Sequence, residues 1–162
     1  MDKKLNIREV REEDNLQLAN IIRGVFDEHD APKNGTVYSD PTTMQLYELF
    51  RMQRSVLWVA ETEDEILGCC GVYPTESLPE DMVELVKFYL PFKSRGKGIG
   101  KSLMEWSVNS AIDFGYKNIY LESLPHFSKA VNIYEKQGFK ILNQPIGKSG
   151  HTSCNIWMTK KL

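Results

Sequence analysis

The sequence predicts an α/β fold in which a mixed, largely antiparallel sheet of about seven strands carries helices on both faces. Strand-like apolar runs alternate with amphipathic helical stretches along the 162 residues. Several consecutive strands are separated by short turns, which favours antiparallel pairing. One strand is followed by a long helix and another strand, which requires a right-handed parallel crossover. Because no repeat or Pro/Gly/Ser-rich linker interrupts this order, we expect residues 1–162 to form one domain.

The first half of the chain is expected to contain one strand, two helices and a hairpin. Asp14 followed by Gln17 has capping-box spacing, which predicts a helix start. Asp40 before Pro41 is typical of another helix start, with Asp as the N-cap. The expected elements are a strand over Leu5 to Val10, a helix from Asp14, a loop over His29 to Ser39, a helix from Asp40 that buries Leu46, Leu49 and Phe50, and paired strands over Val56 to Glu61 and Ile66 to Tyr73.

The second half alternates strands with helices. Gly115 and Gly138 follow apolar helical stretches and are typical of helix ends. The expected elements are a strand over Met82 to Leu90, a helix with Ile99, Leu103, Trp106, Ser110 and Phe114 on one face, a strand over Asn118 to Glu122, a helix over Ser128 to Gln137, and strands over Phe139 to Leu142 and Cys154 to Met158.

Composition narrows the functional class. The formal charge of −2 argues against a generally basic binder of nucleic acid or membranes. The N-terminus lacks an apolar signal region, and no apolar run is long enough to span a membrane, so we expect a cytoplasmic protein. The three cysteines form no CxxC pair and are expected to be buried free thiols, and no cluster has metal-ligand spacing, so we expect no metal.

A basic, glycine-rich segment from Lys87 to Met104 follows one predicted strand and opens a helix. Its glycines let backbone N–H groups approach an anion, and the helix N-terminus adds about half a positive charge. A ligand with several phosphates is therefore the natural partner. A Walker A loop needs glycine where Arg95 stands, and a dinucleotide fingerprint needs glycine where Lys101 stands, so neither nucleotide motif fits.

The pattern that fits is Arg-x-x-Gly-x-Gly, from Arg95 through Gly98 to Gly100. A second motif, A-V-x-I-Y-E-K-x-G-F, runs from Ala130 to Phe139. With these two motifs at this separation, the chain resembles the GCN5-related N-acetyltransferase (GNAT) superfamily. The resemblance implies a sheet whose fourth and fifth strands splay apart, with acetyl-CoA as the acetyl donor and a small-molecule or peptide amine as the acceptor.

The resemblance also implies which residues hold the donor. Backbone amides of the loop would hold the pyrophosphate, and the main chain of the fourth strand would pair with the pantetheine arm like an added strand. Tyr134 matches the tyrosine that faces the CoA sulfur as general acid or thiolate stabiliser. The expected contacts are Phe88, Tyr89, Leu90, Arg95, Gly96, Lys97, Gly98, Ile99, Gly100, Lys101 and Ser102.

A protonated amine cannot attack a thioester until a base removes its proton. Glu84, eleven residues before Arg95 on the predicted fourth strand, is the first candidate for this base. Glu122, at the end of the neighbouring strand, and His151, before the last strand, are the alternatives. We therefore expect Glu84 and Tyr134 to be the catalytic pair.

The acceptor side is less well defined by the sequence. Family members often carry Asn where this chain has Phe127, so that contact to pantetheine is either lost or supplied by Ser128. Tyr38, Tyr47 and Trp58 could shape the acceptor pocket, although core or surface packing is the more common role of such aromatic residues. Monomer and homodimer both stay open, and a non-catalytic acyl-CoA-binding module is the alternative to an enzyme.

Charge is distributed unevenly along the chain. Residues 1–80 contain 8 basic and 16 acidic residues, whereas residues 81–162 contain 12 basic and 6 acidic ones. The basic half holds the expected loop for an anionic donor. The acidic half supplies much of the expected acceptor side, which favours a cationic amine as the acceptor.

Overall fold

The computed structural model describes residues 3–162, and its central feature is one seven-stranded sheet. The strands lie in the order β1-β2-β3-β4-β5-β7-β6. All neighbours pair antiparallel except β4 and β5, which pair in parallel. The strands are β1 (Asn6–Glu9), β2 (Val56–Glu61), β3 (Ile66–Tyr73), β4 (Met82–Tyr89), β5 (Asn118–Ser123), β6 (Lys140–Leu142) and β7 (Ile156–Lys161). The predicted fold class is confirmed.

Helices cover both faces of this sheet. They are α1 (Asn15–Glu28), α2 (Leu46–Leu49), α3 (Ile99–Asp113) and α4 (Ser128–Lys136). On one face, Leu18, Ile22 and Phe26 of α1 pack against Leu57 and Val59 of β2. On the other face lies a second core, which contains Leu103 and Met104 of α3, Tyr134 of α4 and Val83 and Leu85 of β4. Within residues 3–162, no helix combines the length and the apolarity that crossing a membrane would require.

Two local predictions in the first half of the chain differ from the structure. Asp14 does not cap α1; its carboxylate instead accepts from the Arg11 amide and pairs with Arg8 at 2.7 Å. The helix expected from Asp40 divides into a 3₁₀ turn over Pro41–Met44 and the short α2, because Gln45 leaves helical geometry with φ −134° and ψ 44°. Asp40 still caps the first turn, accepting from the Thr42 amide.

Two further differences concern the C-terminal half. The last strand begins at Ile156 rather than Cys154 and runs on to Lys161, following its pairing with β5. Trp106, on the predicted apolar face of its helix, is 44% exposed, and its ring lies edge-on to that of Trp58 with the ring centroids 4.8 Å apart. The Trp58 indole N–H donates to Ser110 on the same helix, at 2.9 Å. Cys69 and Cys70 are buried free thiols, as predicted, whereas Cys154 is half-buried.

The sheet opens between β4 and β5. Their parallel ladder covers three residue pairs and ends where Glu84 faces Tyr120. Beyond that point β5 continues to pair with β7 on its other side, while β4 continues beside β3. The main chain of β4 from about residue 85 to 89 therefore borders an opening, as expected for two splayed strands.

A bulge reshapes β4 at this opening. The β3–β4 register shifts between Cys69 and Gly71, and Lys87 adopts a positive φ of +56°. The Cys69 thiol donates to the Lys87 carbonyl at 3.1 Å, which ties the bulge to β3. A bulge places one extra residue on its strand and re-aims the side chains there.

Candidate active site

A cavity of about 550 Å³ lies at the opening between β4 and β5. Its wall includes the glycine-rich loop at one end and the buried polar residues of β4 and β5 at the other. We call one part of the wall the donor half, after the ligand that the sequence resemblance implies; it is formed by Phe88, Tyr89, Leu90, Arg95, Gly96, Gly98, Gly100 and Lys101. We call the wall formed by Glu84, Lys87, Glu122 and His151 the acceptor half.

The loop of the donor half owes its shape to two glycines. Gly96 and Gly98 have φ values of +74° and +80°, a conformation that residues with a side chain rarely adopt. A Cβ at either position would have no neighbouring atom within 4 Å, so the space in front of the loop is open. Gly98 is the N-cap of α3, whose first N–H groups have no partner within the helix. Open space in front of unpartnered N–H groups at a helix N-terminus is the geometry that backbone anion sites share.

Gly100 allows α3 to approach β4 closely. A Cβ on Gly100 would lie 3.2 Å from Cζ of Phe88 and 3.7 Å from Cδ1 of Leu90. The loop and the free edge of β4 are therefore fixed relative to each other. Phe88 faces Tyr134, with ring centroids 5.9 Å apart, whereas Tyr89 faces Phe26 of α1 at 5.9 Å.

Arg95 stabilises the loop from the side. Its guanidinium forms a bidentate ion pair with Glu28 of α1, at 2.5 and 3.0 Å, and donates to the Leu90 carbonyl at 3.0 Å. This arrangement occupies the side chain, so any contribution of Arg95 to an anion would come from its backbone. The pairing also lowers the pKa of Glu28, mainly through the hydrogen bonds from Arg95.

The other loop cations differ in their surroundings. Lys93 pairs with Glu65, and Lys101 lies 3.9 Å from Glu105 on α3. Lys97 is exposed and has no ion pair within the described part of the chain. Lys97, Ile99 and Ser102, which were expected at the donor, lie beside the cavity wall rather than in it.

Tyr134 stands where the two halves meet. Its side chain is 7% exposed, lines the cavity and packs against Phe88 and Phe139, each at 5.9 Å. Its hydroxyl has no hydrogen-bond partner among residues 3–162. Burial raises the pKa of Tyr134 above its usual value, so the hydroxyl stays protonated at neutral pH.

Glu84 is the most perturbed carboxylate of the acceptor half. It is 4% exposed and accepts a hydrogen bond from the Thr75 hydroxyl. Burial raises the pKa of Glu84 to about 7, and the nearby Glu122 charge acts in the same direction. Because the pKa matches a working pH near neutrality, Glu84 has the property that a general base needs.

The two alternative bases already have partners. Both carboxylate oxygens of Glu122 accept hydrogen bonds, one from Tyr120 at 2.7 Å and the other from Ser149. Nε2 of His151 lies 3.3 Å from Asp40. Burial, together with the charge of Lys87, lowers the pKa of His151, so the imidazole is largely neutral near pH 7.

Sequence reasoning did not identify Lys87 or Cys154 as site residues, although both line the cavity. Strict alternation along β4 places Lys87 on the face of Val83 and Leu85, towards α3. The bulge turns it instead towards Asp40 and Glu84. Nothing in the local sequence signals that bulge.

The aromatic candidates are distributed differently from expectation. Phe127 lines the cavity and packs edge-on against Phe26 at 5.2 Å and His29 at 5.3 Å, whereas Ser128 does not line it. Tyr38, Tyr47 and Trp58 lie outside the cavity wall. Among the described residues no cluster of three or more His, Cys, Asp or Glu is arranged to hold a metal, and the absence of a metal stays a prediction.

A half-open mixed sheet, with a glycine loop at the helix N-terminus beside the opening, is the arrangement that the sequence resemblance implies for an N-acetyltransferase. The profile described as "Acetyltransferase (GNAT) family" matches residues 22–139. The chain therefore belongs to the GNAT acetyltransferase family, which confirms the resemblance drawn from its two motifs.

Relatives agree with this assignment. The chain is 33% identical over 158 residues to the Escherichia coli "Uncharacterized N-acetyltransferase YjgM", covering 96% of this chain and 94% of the relative. A GNAT-family acetyltransferase of Staphylococcus aureus Mu50 superposes with a TM-score of 0.81 at 19% identity, covering 98% and 99% of the two chains. YncA of Salmonella typhimurium, solved with acetyl-CoA, superposes with a TM-score of 0.76 at 15% identity, covering 98% and 94%.

Proposed function

We propose that the protein transfers an acetyl group from acetyl-CoA to a primary amine by direct attack within a ternary complex. One observation carries the proposal: a single cavity joins the open glycine loop to the buried carboxylate Glu84 through the gap between β4 and β5. A donor and an acceptor could therefore meet without an intermediate on the enzyme. Action in the cytoplasm on a small-molecule or peptide amine is part of the same proposal.

The donor half fits acetyl-CoA by shape and charge. The open space before Gly96 and Gly98 and the unpaired N–H groups at the start of α3 suit a pyrophosphate. The free edge of β4 at Phe88 to Leu90 suits an extended amide chain, which can add to the sheet by main-chain hydrogen bonds. When bound there, acetyl-CoA supplies the activated acyl group.

The acceptor half supplies proton removal. Glu84 takes the proton of the ammonium group as the amine nitrogen attacks the thioester carbonyl. The nitrogen forms a bond to the carbonyl carbon, and the carbon–sulfur bond breaks. Tyr134, which burial keeps protonated, gives its hydroxyl proton to the departing thiolate, and the second proton that the nitrogen loses on becoming an amide returns to Tyr134. A backbone N–H at the β4 edge stabilises the charge that develops on the carbonyl oxygen.

The overall reaction is tested by measuring free thiol from acetyl-CoA with a panel of polyamines, amino acids, aminoglycosides and peptides. Amine-dependent thiol release supports transfer. Binding of acetyl-CoA, seen as a raised melting temperature, without release with any amine would identify a non-catalytic binding module.

The role of Glu84 is tested with Glu84→Gln. A base with a pKa near 7 must lose its proton to act, so kcat/KM of the native enzyme rises with pH through about 7. In the variant, kcat/KM is expected to fall about 100-fold and to lose its rise with pH through about 7. Glu122→Gln is the matched control and should keep the rise of kcat/KM with pH, moved to lower pH because the Glu122 charge no longer raises the pKa of Glu84. A pH profile shared by native protein and Glu84→Gln would exclude Glu84 as the base.

A further inference from the structure

Lys87 is a buried cation that the proposed chemistry does not use. It is 7% exposed and lines the acceptor half. The charges nearest to it belong to Asp40 and Glu84, but neither forms an ion pair or hydrogen bond with it within the described chain. A buried ammonium without a partner is costly, since burial penalises its charged form.

The backbone of Lys87 is also held in an unfavourable conformation. Its φ of +56° lies in the left-handed region, which residues with a side chain rarely adopt. The bulge that creates this conformation turns the ammonium from the α3 side of the sheet towards the cavity. Strain of this kind, kept at a cavity wall, indicates a functional position.

We propose that Lys87 binds a carboxylate of the acceptor, so that the acceptor is an α-amino acid or a close analogue with a carboxylate beside its amine. The inference rests on the proposed acetyl transfer and specifies its acceptor. A carboxylate supplies the missing partner of the buried ammonium, and charged hydrogen bonds of this type are among the stronger ones.

The spacing of the two side chains matches a small zwitterion. Because of the bulge, Glu84 and Lys87 face the same side of β4, and the strand rise places their Cα atoms about two strand positions, or roughly 7 Å, apart. A substrate between them can direct its ammonium to Glu84 and its carboxylate to Lys87. The acidic first half of the sequence favours a cationic amine as the acceptor. In the structure, however, Asp40 lies beside His151 and Glu28 pairs with Arg95. These two carboxylates therefore already have partners other than a cationic acceptor.

The electrostatics of the wall support this arrangement. Burial lowers the pKa of Lys87, and the negative charges of Asp40 and Glu84 oppose that decrease. His151 faces the same region with a lowered pKa, so it adds little positive charge. Lys87 is therefore the cation of the acceptor half that a carboxylate would pair with.

The test uses Lys87→Met, which keeps the length of the side chain and removes its charge. Binding of the twenty amino acids to the protein saturated with CoA is measured by calorimetry, and acetyl transfer is measured alongside. Leucine, phenylalanine and lysine are each compared with the amine that lacks the carboxylate. Lys117→Met, at an exposed site after α3, is the control. A melting-temperature shift on adding CoA shows whether Lys87→Met is folded. If it is not, the test is repeated with Lys87→Gln.

The native protein is expected to favour at least one amino acid over its matched amine. Lys87→Met should raise KM for that amino acid about 10- to 100-fold and change the matched amine less than about 3-fold. Equal use of both members of every pair, or equal losses for both in the variant, would overturn the proposal. Acetylation of Lys87 itself, seen by mass spectrometry after incubation with acetyl-CoA, would also overturn it.

Failure of the proposed acetyl transfer can be distinguished from failure of the Lys87 proposal. If no amine is acetylated but an amino acid binds in a manner that depends on Lys87, the transfer proposal fails and the carboxylate site stands. If amines are acetylated without any preference for a carboxylate, the transfer proposal stands and the Lys87 proposal fails. Absence of amino-acid binding and of amino-acid transfer overturns the Lys87 proposal.

Discussion

The two halves of the cavity are built in different ways. The donor half is formed mainly by backbone: glycines with positive φ, the first turn of α3 and the free edge of β4. The acceptor half is formed by ionisable side chains that come from separate parts of the chain, with Glu84 and Lys87 on β4, Glu122 on β5 and His151 before β7.

This difference has a functional consequence. A backbone site recognises a constant ligand, because N–H groups do not change when side chains do. A site made of buried side chains can be altered by single substitutions, and its protonation follows pH. We therefore expect variants in the donor half to abolish binding of any acyl-CoA, and variants in the acceptor half to change the rate, the pH profile or the acceptor.

The largest expected effect is that of Gly98→Asp. The side chain would project into the open space before the loop, and its charge would repel a pyrophosphate. We expect the affinity for CoA to fall at least about 100-fold, measured by calorimetry, because repulsion and steric block act together.

Gly115→Asp is the matched control for this variant. Gly115 has a φ of +88° with no neighbour within 4 Å of its Cβ position, but it lies at the far end of α3. The Gly115→Asp substitution introduces the same charge and similar backbone strain, but at a position that does not face the cavity. Loss of CoA affinity in both variants would mean that backbone strain, rather than a blocked anion site, is responsible.

An intermediate effect is expected at the junction of the halves, with Tyr134→Phe. Removing the hydroxyl leaves the ring in contact with Phe88 and Phe139, so CoA binding should change little. Loss of a general acid should lower kcat about 100-fold. The control is Tyr116→Phe, whose hydroxyl donates to the Arg54 carbonyl away from the cavity. An unchanged kcat in Tyr134→Phe at every pH would remove the tyrosine from the mechanism.

The smallest effect is expected from Glu28→Gln, which breaks the ion pair that holds Arg95. Both partners are partly exposed, so the loss of stability should be about 0.5–1 kcal/mol, with a few-fold weaker binding of CoA. The pKa of Glu28 is lowered in the folded state, so this stability is present above pH 4.5 and disappears as pH falls through the folded pKa.

Thermal unfolding of Glu28→Gln across pH tests this prediction. The difference from the native protein should be present at pH 7 and vanish in acid. Asp27→Asn breaks the exposed pair with Lys33 and should leave CoA affinity unchanged. A stability difference that persists in acid would show that the Arg95 ion pair is not its source.

Contiguous patterns predicted most of the fold. The hairpin of β2 and β3 begins and ends where the sequence placed it, because short turns and apolar runs are local signals. The prediction of one continuous second helix was wrong. Asp40 and Pro41 indicate where a helix starts, but they do not indicate that Gln45 interrupts it. Periodicity placed Trp106 on the apolar face of its helix, but it does not give the degree of burial, and Trp106 stays 44% exposed beside Trp58.

The sequence by itself determined the family, the glycine loop and the position of Tyr134 in its motif, because each depends on residues close together in the chain. Tertiary structure alone decided that Arg95 pairs with Glu28, that burial raises the pKa of Glu84, and that Lys87 faces the cavity. The physical reason is that charge environment depends on burial and on distant neighbours. A bulge fixed by pairing between β3 and β4 reverses the face of a side chain without any local signal.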